Sequence, residues 1–154
     1  MIYILVALKA EAQAFIDKYK LNKSKSNDNI TLMVSGIGSK NMYASTKKVV
    51  EMMQKDDTIL NVGICGASKE YAVGELIDGF ETKIECVDEK VDAQSRCRVV
   101  DMESKGFLEA SKNIKKRYMF KVVSDNFEPH KVTKDMAKML IFKKIDKIMK
   151  RVKI

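Results

Sequence analysis

The segment VVDMES, residues 99–104, places two carboxylates, Asp101 and Glu103, on either side of Met102 and directly after an apolar pair. An ionised carboxylate only accepts hydrogen bonds, so either group could hold the hydroxyls of a sugar. The same residue types also begin helices, where they cap N–H groups and interact favourably with the helix dipole. The segment therefore predicts a sugar-binding site or a helix start, and its local sequence leaves both open.

Polar residues and glycines also follow several other apolar runs. The segments concerned are ALKAE (7–11), SGIGS (35–39), VGICGAS (62–68) and VVSDN (122–126). In a parallel sheet, loops after the strands meet at the carboxyl edge, which is where ligands bind. The glycines would let backbone approach a ligand closely, but neither glycine segment is a standard phosphate loop, and a tight turn also explains each.

The segments around these residues show two hydrophobic patterns. Near-continuous apolar runs, typical of strands covered on both faces, occur at 1–8, 30–35, 59–65 and 118–124. Helical periodicity occurs at about 9–20, 39–54, 101–115 and 131–152. This alternation predicts an α/β fold with a mostly parallel sheet flanked by helices. A length of 154 residues predicts one domain spanning residues 1–154.

The composition is that of a globular protein, with 45% hydrophobic and 32% charged residues. No run approaches the roughly 20 apolar residues of a membrane span, so no membrane association is expected. The opening apolar run has no basic leader and no small-residue cleavage site, and it reads as a buried first strand. We therefore expect a cytoplasmic protein.

The cysteines do not form a recognisable framework. Cys65, Cys86 and Cys97 are odd in number and lack CxxC spacing, and His130 is the only histidine of the sequence. We therefore predict neither a disulfide scaffold nor a metal site. Cys65 lies in an apolar segment, so an inert buried thiol is favoured over a nucleophile.

Much of the formal net charge of +8 lies near the end of the sequence. Residues 131–154 contain nine lysines and arginines against two aspartates. Ile141, Ile145, Ile148 and Val152 recur on one side of this segment, which favours a core-packing helix with a solvated basic face. Binding of nucleic acid is the less favoured alternative, because the sequence has only four arginines and recognition of phosphate and bases favours arginine.

With these segments in this order, the sequence resembles the nucleoside phosphorylase superfamily, most closely a shortened version of its methylthioadenosine/S-adenosylhomocysteine nucleosidase branch. The matching segments are VALKAEAQAF, VSGIGSKNMYAST, ILNVGICGA, VGELI, VVDMES and FKVVSD. The resemblance implies the fold of that superfamily. It also implies cleavage of the N-glycosidic bond of a purine nucleoside or thionucleoside, such as methylthioadenosine or S-adenosylhomocysteine, without a cofactor or metal and by a homo-oligomer, with a dimer favoured.

The resemblance further implies roles for individual residues. Asp125 falls on the general acid that protonates the purine, and Ser124 on the residue that positions it. Glu11 falls on the general base that prepares water. Glu103 would accept hydrogen bonds from the ribose hydroxyls, with Met102 packed on the sugar. These roles give the acidic segment at residues 99–104 its sugar-binding interpretation.

Two more predicted contacts concern the base. Gly66 matches a backbone contact, and Val91 lies near the end of CVDEKV (86–91), which resembles the base-contacting loop of the family. Lys90 stands where an aromatic ring usually stacks on the purine. The segment between VGELI and VVDMES is also shorter than is usual in the family, so the expected pocket is altered.

The departures from the family pattern keep alternatives open. The arginines that build a phosphate site in phosphorolytic members are missing, so hydrolysis is favoured over a nucleoside phosphorylase activity. Ile64 occupies the position of a serine or threonine that contacts water or phosphate, and isoleucine offers no hydrogen bond. A catalytically reduced nucleoside-binding or interaction protein of the same fold is therefore the main alternative.

Overall fold

The computed structural model describes residues 1–90 and 97–152. The strands are β1 Ile2–Val6, β2 Ile30–Val34, β3 Thr58–Ala67, β4 Leu76–Asp78, β5 Glu85–Cys86, β6 Val99–Asp101 and β7 Arg117–Asp125. The helices are α1 Lys9–Tyr19, α2 Ser39–Met52, α3 Ser104–Ala110 and α4 Lys134–Val152, and a single 3-10 turn covers Pro129–Lys131.

The ten-residue strand β3 is the centre of the sheet. It pairs in parallel with β1 and, on its other edge, with β7. The last residues of β3, Gly66 and Ala67, pair with the antiparallel strand β6, which lies on the β1 side because Gly66 also pairs with Asp125 of β7. β2 and β5 extend the sheet in parallel, and β4 adds an antiparallel edge to β7. The predicted α/β fold with a mostly parallel sheet is confirmed.

Both faces of the sheet are covered, as the continuous apolar runs predict. On one face, Phe15 of α1 and Ile141 of α4 pack with Phe120 of the sheet. On the other, Met42 of α2 and Phe107 of α3 form a second apolar cluster with neighbouring strand residues. The stripe of α4 points into the first cluster, so its core-packing interpretation is confirmed.

The region predicted as a helix over 101–115 differs from the prediction. The helix α3 covers only Ser104–Ala110. Asp101 is the last residue of β6 and cannot be the residue that flanks the helix, although its carboxylate still accepts a bond from the Ser104 N–H at 2.9 Å. The helix is short because the chain turns after Ala110 and returns to the sheet at Arg117.

Gly106 allows α2 and α3 to cross at backbone contact. A Cβ atom at this position would collide with the Ser39 carbonyl and the Tyr43 amide of α2. The close crossing brings the start of α3, with Glu103, against Gly38 at the start of α2. In residues 1–90 and 97–152, no helix is both long and apolar enough to cross a bilayer.

Candidate active site

A cavity of about 450 Å³ opens where β3 and β7 end, beside β6 and the first residues of α1 and α4. Six of the seven residues predicted to form a site line this one cavity: Glu11, Gly66, Met102, Glu103, Ser124 and Asp125. The seventh, Val91, lies outside the described residues. Segments far apart in the sequence thus meet at the sheet edge where ligands bind in this class of fold.

Glu11 is both a helix-capping residue and a cavity residue. Its Oε2 accepts hydrogen bonds from the N–H groups of Ala7 (3.0 Å) and Leu8 (2.9 Å), at the entry to α1. Its Oε1 accepts one from the N–H of Ile64 in β3 at 3.0 Å. Burial raises the pKa of the Glu11 carboxyl, and these backbone bonds and the nearby Lys121 only partly offset the rise.

Glu103 occupies the position that flanks the start of α3, but its hydrogen bond reaches another helix. Its Oε2 accepts from the N–H of Gly38 at 2.9 Å, at the start of α2. The carboxyl group is mostly buried, and burial raises its pKa, with partial offset by Lys121. The neighbouring Met102 also lines the cavity. The helix-start interpretation of this segment and the cavity interpretation are therefore compatible.

The raised pKa of Glu103 predicts a pH effect on stability. The folded chain holds the Glu103 proton to a higher pH than the unfolded chain, whose glutamate pKa is about 4.3. Folding is therefore favoured at low pH, and this contribution to the free energy of unfolding is lost as pH rises from about 4.3 through the raised pKa. Glu103→Gln should flatten that fall relative to the unsubstituted chain, since glutamine can still accept from Gly38.

Chemical unfolding at a series of pH values measures this effect. The matched control is Glu109→Gln, an exposed glutamate of the same helix, which should leave the slope unchanged. If the Glu103→Gln and unsubstituted curves run parallel between pH 4 and pH 7, Glu103 does not carry the raised pKa.

Asp125 and Ser124 end β7 as a coupled pair. The Ser124 hydroxyl donates to Asp125 Oδ1 at 2.7 Å, and the N–H of Glu128 donates to Asp125 Oδ2 at 2.8 Å. Gly66 and Asp125 line the cavity together. Asp125 is thus held in a defined orientation at the wall of the cavity.

A buried ion pair lies at the wall of the cavity and was not predicted from the sequence. The Lys121 Nζ lies 2.9 Å from Asp101 Oδ2, and both side chains are almost wholly inaccessible. Burial alone would lower the pKa of Lys121, but the carboxylates of Asp101, Glu103 and Glu11 outweigh it and raise that pKa. A lysine within the apolar run of β7 was the available signal, because a buried lysine requires a partner.

Gly63 leaves space for Lys121 to lie close to Glu11, the predicted general base. A Cβ atom at Gly63 would lie 3.2 Å from Glu11 Oε1 and 3.3 Å from Lys121 Nζ. Any side chain there would compete for the space between the two charged groups. The arrangement thus sets the ammonium group of Lys121 among the carboxyl groups of Asp101, Glu103 and Glu11.

The residues that depart from the family pattern also have defined places. Ile64 and Lys90 both line the cavity, and isoleucine brings no hydrogen-bonding side chain to it. Asn61 is buried, and its side-chain amide donates to the Leu5 carbonyl at 3.1 Å. This bond joins strand β3 to strand β1 and is directed away from the cavity lining.

Cys65 behaves as the sequence predicts for a buried thiol. It is 3% exposed, and burial raises the pKa of its thiol far above the ordinary range, so the neutral form dominates. Within the described ranges, no group of histidine, cysteine and acidic side chains is arranged to hold a metal ion.

The fold is that of solved 5′-methylthioadenosine/S-adenosylhomocysteine nucleosidases. One assigned to this activity, from Francisella philomiragia, superimposes with a TM-score of 0.78 at 16% identity, over 99% of this chain and 98% of that one. The Helicobacter pylori enzyme, solved with butyl-thio-DADMe-Immucillin-A, gives 0.76 at 13% identity, over 98% and 96%.

A second activity occurs among the similar structures. Futalosine hydrolase of Helicobacter pylori superimposes with a TM-score of 0.69 at 12% identity, over 95% of this chain and 97% of that one. No protein-family model and no curated protein matches the sequence. At these identities, the fold is what the chain shares with these enzymes.

Proposed function

We propose that this protein is a nucleosidase-like hydrolase that cleaves the N-glycosidic bond of a purine nucleoside or thionucleoside, such as methylthioadenosine or S-adenosylhomocysteine. The observation that carries the proposal is that Glu11, Glu103 and Asp125, from three distant segments, line one cavity. Purine–ribose hydrolysis needs an acid for the leaving base, a base for water and a group that holds the sugar. These three carboxyl groups supply that set.

In the proposed reaction, Asp125 donates a proton to the purine as the bond between the base and ribose C1′ breaks and its electron pair leaves with the base. Glu103 accepts hydrogen bonds from the ribose hydroxyls, and Met102 packs against the sugar. Water adds to C1′ and gives its proton to Glu11. Ser124 keeps the Asp125 carboxyl oriented through its 2.7 Å bond.

Electrostatics favour this kind of transition state in the cavity. The ribosyl group becomes cationic as the base departs, and stabilisation of developing charge by fixed groups is often the largest catalytic contribution. Glu11 and Glu103 lie near Lys121, whose ammonium group is already paired with Asp101 at 2.9 Å. In its ionised form, either carboxylate would stabilise a cationic ribosyl group bound in the cavity.

A second candidate function is nucleoside binding without turnover, and one observation favours it. The Glu11 carboxylate already accepts three backbone N–H bonds, and the adjacent Ile64 side chain cannot orient water. A base with fewer open lone pairs and no water-positioning neighbour would be a weak catalyst. The proposed binding residues would still hold the nucleoside.

A chromatographic assay of base release separates the candidates. We expect the purified protein to release free base from methylthioadenosine, S-adenosylhomocysteine, adenosine or inosine in phosphate-free buffer. Release that requires phosphate would identify a phosphorylase and overturn the hydrolase. Binding of a nucleoside, measured by calorimetry, without release of base would identify the non-catalytic alternative.

The domain organisation, location and partners of the protein are also part of what we propose. We propose that residues 1–154 act as one cytoplasmic domain, with a purine nucleoside as its small-molecule partner and a second copy of the chain as its macromolecular partner. Ile37 supports the second part, because it lines the cavity and is nevertheless 54% exposed. Contact with a second copy of the chain would remove this apolar side chain from water, which is favourable.

A further inference from the structure

Three lysines of the described ranges line the cavity, and two of them, Lys9 and Lys134, stand at the start of helices and have no role in the proposed bond cleavage. The third, Lys90, belongs to the segment CVDEKV, which resembles a base-contacting loop. Lys9 is the first residue of α1 and Lys134 is the first residue of α4. Both side chains are exposed, and both residues line the same cavity as Glu11 and Asp125. Among residues 1–90 and 97–152, no carboxylate lies within 4.0 Å of either ammonium group, so no intramolecular ion pair accounts for them.

The cavity is therefore polarised. Its inner end holds the carboxyl groups of Glu11 and Glu103, close to a lysine that is already paired with Asp101. Its mouth holds the two lysine ammonium groups on separate helices. Charges that line a cleft with low-dielectric walls focus the field, so a ligand with an anionic end has one favoured orientation in this cavity.

That orientation can be combined with the positions of the other lining residues. Under the proposed function, the base lies by Asp125 and Ser124, and the ribose by Glu103. The other residues of the cavity lining include Leu8 and Val132, which are close in sequence to Lys9 and Lys134. With the base and the ribose placed as above, the 5′ substituent of the nucleoside would lie beside these residues.

We propose that the mouth of the cavity binds an anionic group, a phosphate or a carboxylate, carried on the 5′ side of the nucleoside, with Lys9 and Lys134 as its recognition residues. This inference rests on the proposed function for the placement of base and ribose. Lysine is a common phosphate ligand that acts as a mobile point charge. The dipole of the 19-residue helix α4, whose N-terminus lies at Lys134, adds to the attraction of an anion.

Equilibrium binding tests the inference without requiring turnover. Dissociation constants are measured by calorimetry at low ionic strength for adenosine, adenosine 5′-monophosphate and adenosine 5′-carboxylate. We expect at least one of the two anions to bind about tenfold or more tightly than adenosine, with the preference falling as salt is added. Comparison of the two anions distinguishes a phosphate site from a carboxylate site.

Charge-matched variants assign the effect to the two lysines. Lys9→Met combined with Lys134→Met should bring the ratio of the anion and adenosine dissociation constants close to one. Lys143→Met combined with Lys147→Met removes the same charge from an exposed part of α4 that does not line the cavity, and should keep the preference.

Two sets of results would overturn the inference. One is equal binding of all three compounds, or no binding of any of them. The other is a preference for anions that survives in the Lys9/Lys134 double variant. Failure of the proposed function has a different signature, because the anion preference would then be present and lysine-dependent while no compound releases free base.

Discussion

Replacement of Asp125 by asparagine is expected to lower the rate of base release by about 10²- to 10⁴-fold, the usual contribution of a general acid. Asparagine cannot protonate the departing purine, but its side chain can keep the local bonds. The asparagine oxygen can accept from the Glu128 N–H, which now donates to Asp125 at 2.8 Å. The asparagine amide can donate to the Ser124 hydroxyl oxygen, which lies 2.7 Å from the present carboxylate. The loss should therefore appear in kcat, measured by chromatography of free base, with unfolding nearly unchanged.

The matched control for this variant is Asp28→Asn, which makes the same chemical change in an exposed loop outside the cavity. It should release base at the unsubstituted rate. An Asp125→Asn protein that is folded and equally active would remove Asp125 from the proposed mechanism. A variant that loses activity only because it unfolds would be recognised from its thermal transition.

Replacement of Lys121 by methionine is expected to cause the largest loss of stability, about 3–5 kcal/mol in the free energy of unfolding. Methionine fills similar volume but leaves the Asp101 carboxylate buried without its cation, which now lies 2.9 Å away. Glu11 and Glu103 would lose the same neighbouring charge. The loss should be larger at pH 8 than at pH 5. Without the lysine, buried carboxyl groups avoid the cost of a buried anion only by binding a proton, and this happens more readily at the lower pH. Urea unfolding at both pH values measures it.

A double-variant cycle tests whether the loss arises from the uncompensated charge. Lys121→Met combined with Asp101→Asn should be less destabilised than Lys121→Met alone, because no buried anion remains at Asp101. The exposed pair of Lys116 and Asp56, at 3.8 Å, supplies the control, and Lys116→Met should change the free energy of unfolding by less than about 1 kcal/mol. A loss of similar size at both lysines would contradict the buried-pair account.

The sequence predicted the main layers of the fold because their signals are local and strong. Strands β1, β2, β3 and β7 are continuous apolar runs, and burial on both faces of the sheet requires that pattern. The short strands β4, β5 and β6 are harder to predict, because a segment of two or three residues is too short to show a hydrophobic pattern. Their pairing depends on partners in β7 and β3 that are distant in sequence.

The candidate site was predictable where residues lie at the ends of strands. Such positions meet at one edge whatever the details of the loops, and this rule brought Glu11 and Asp125 into one cavity. Glu103 shows the limit of local reasoning. Its acceptor oxygen faces the Gly38 amide of another helix, which no pattern within residues 99–104 could predict.

The buried pair of Lys121 and Asp101 required the three-dimensional structure. Each residue has an ordinary local explanation: Lys121 reads as a charged position within a strand, and Asp101 as an acidic residue before a helix. Only the three-dimensional sheet, in which β6 and β7 both pair with β3, shows that the two side chains form an ion pair. The same holds for Lys9 and Lys134, which are 125 residues apart in sequence and line one cavity mouth.

Hydrolysis by this protein is tested most simply by the amount of free adenine formed when the purified protein is incubated with methylthioadenosine in phosphate-free buffer. We expect adenine to form at a rate proportional to protein concentration, and the Asp125→Asn variant to be at least about 10²-fold slower. If the unsubstituted protein forms no adenine, or if both proteins form equal amounts, Asp125 is not the general acid of a nucleosidase.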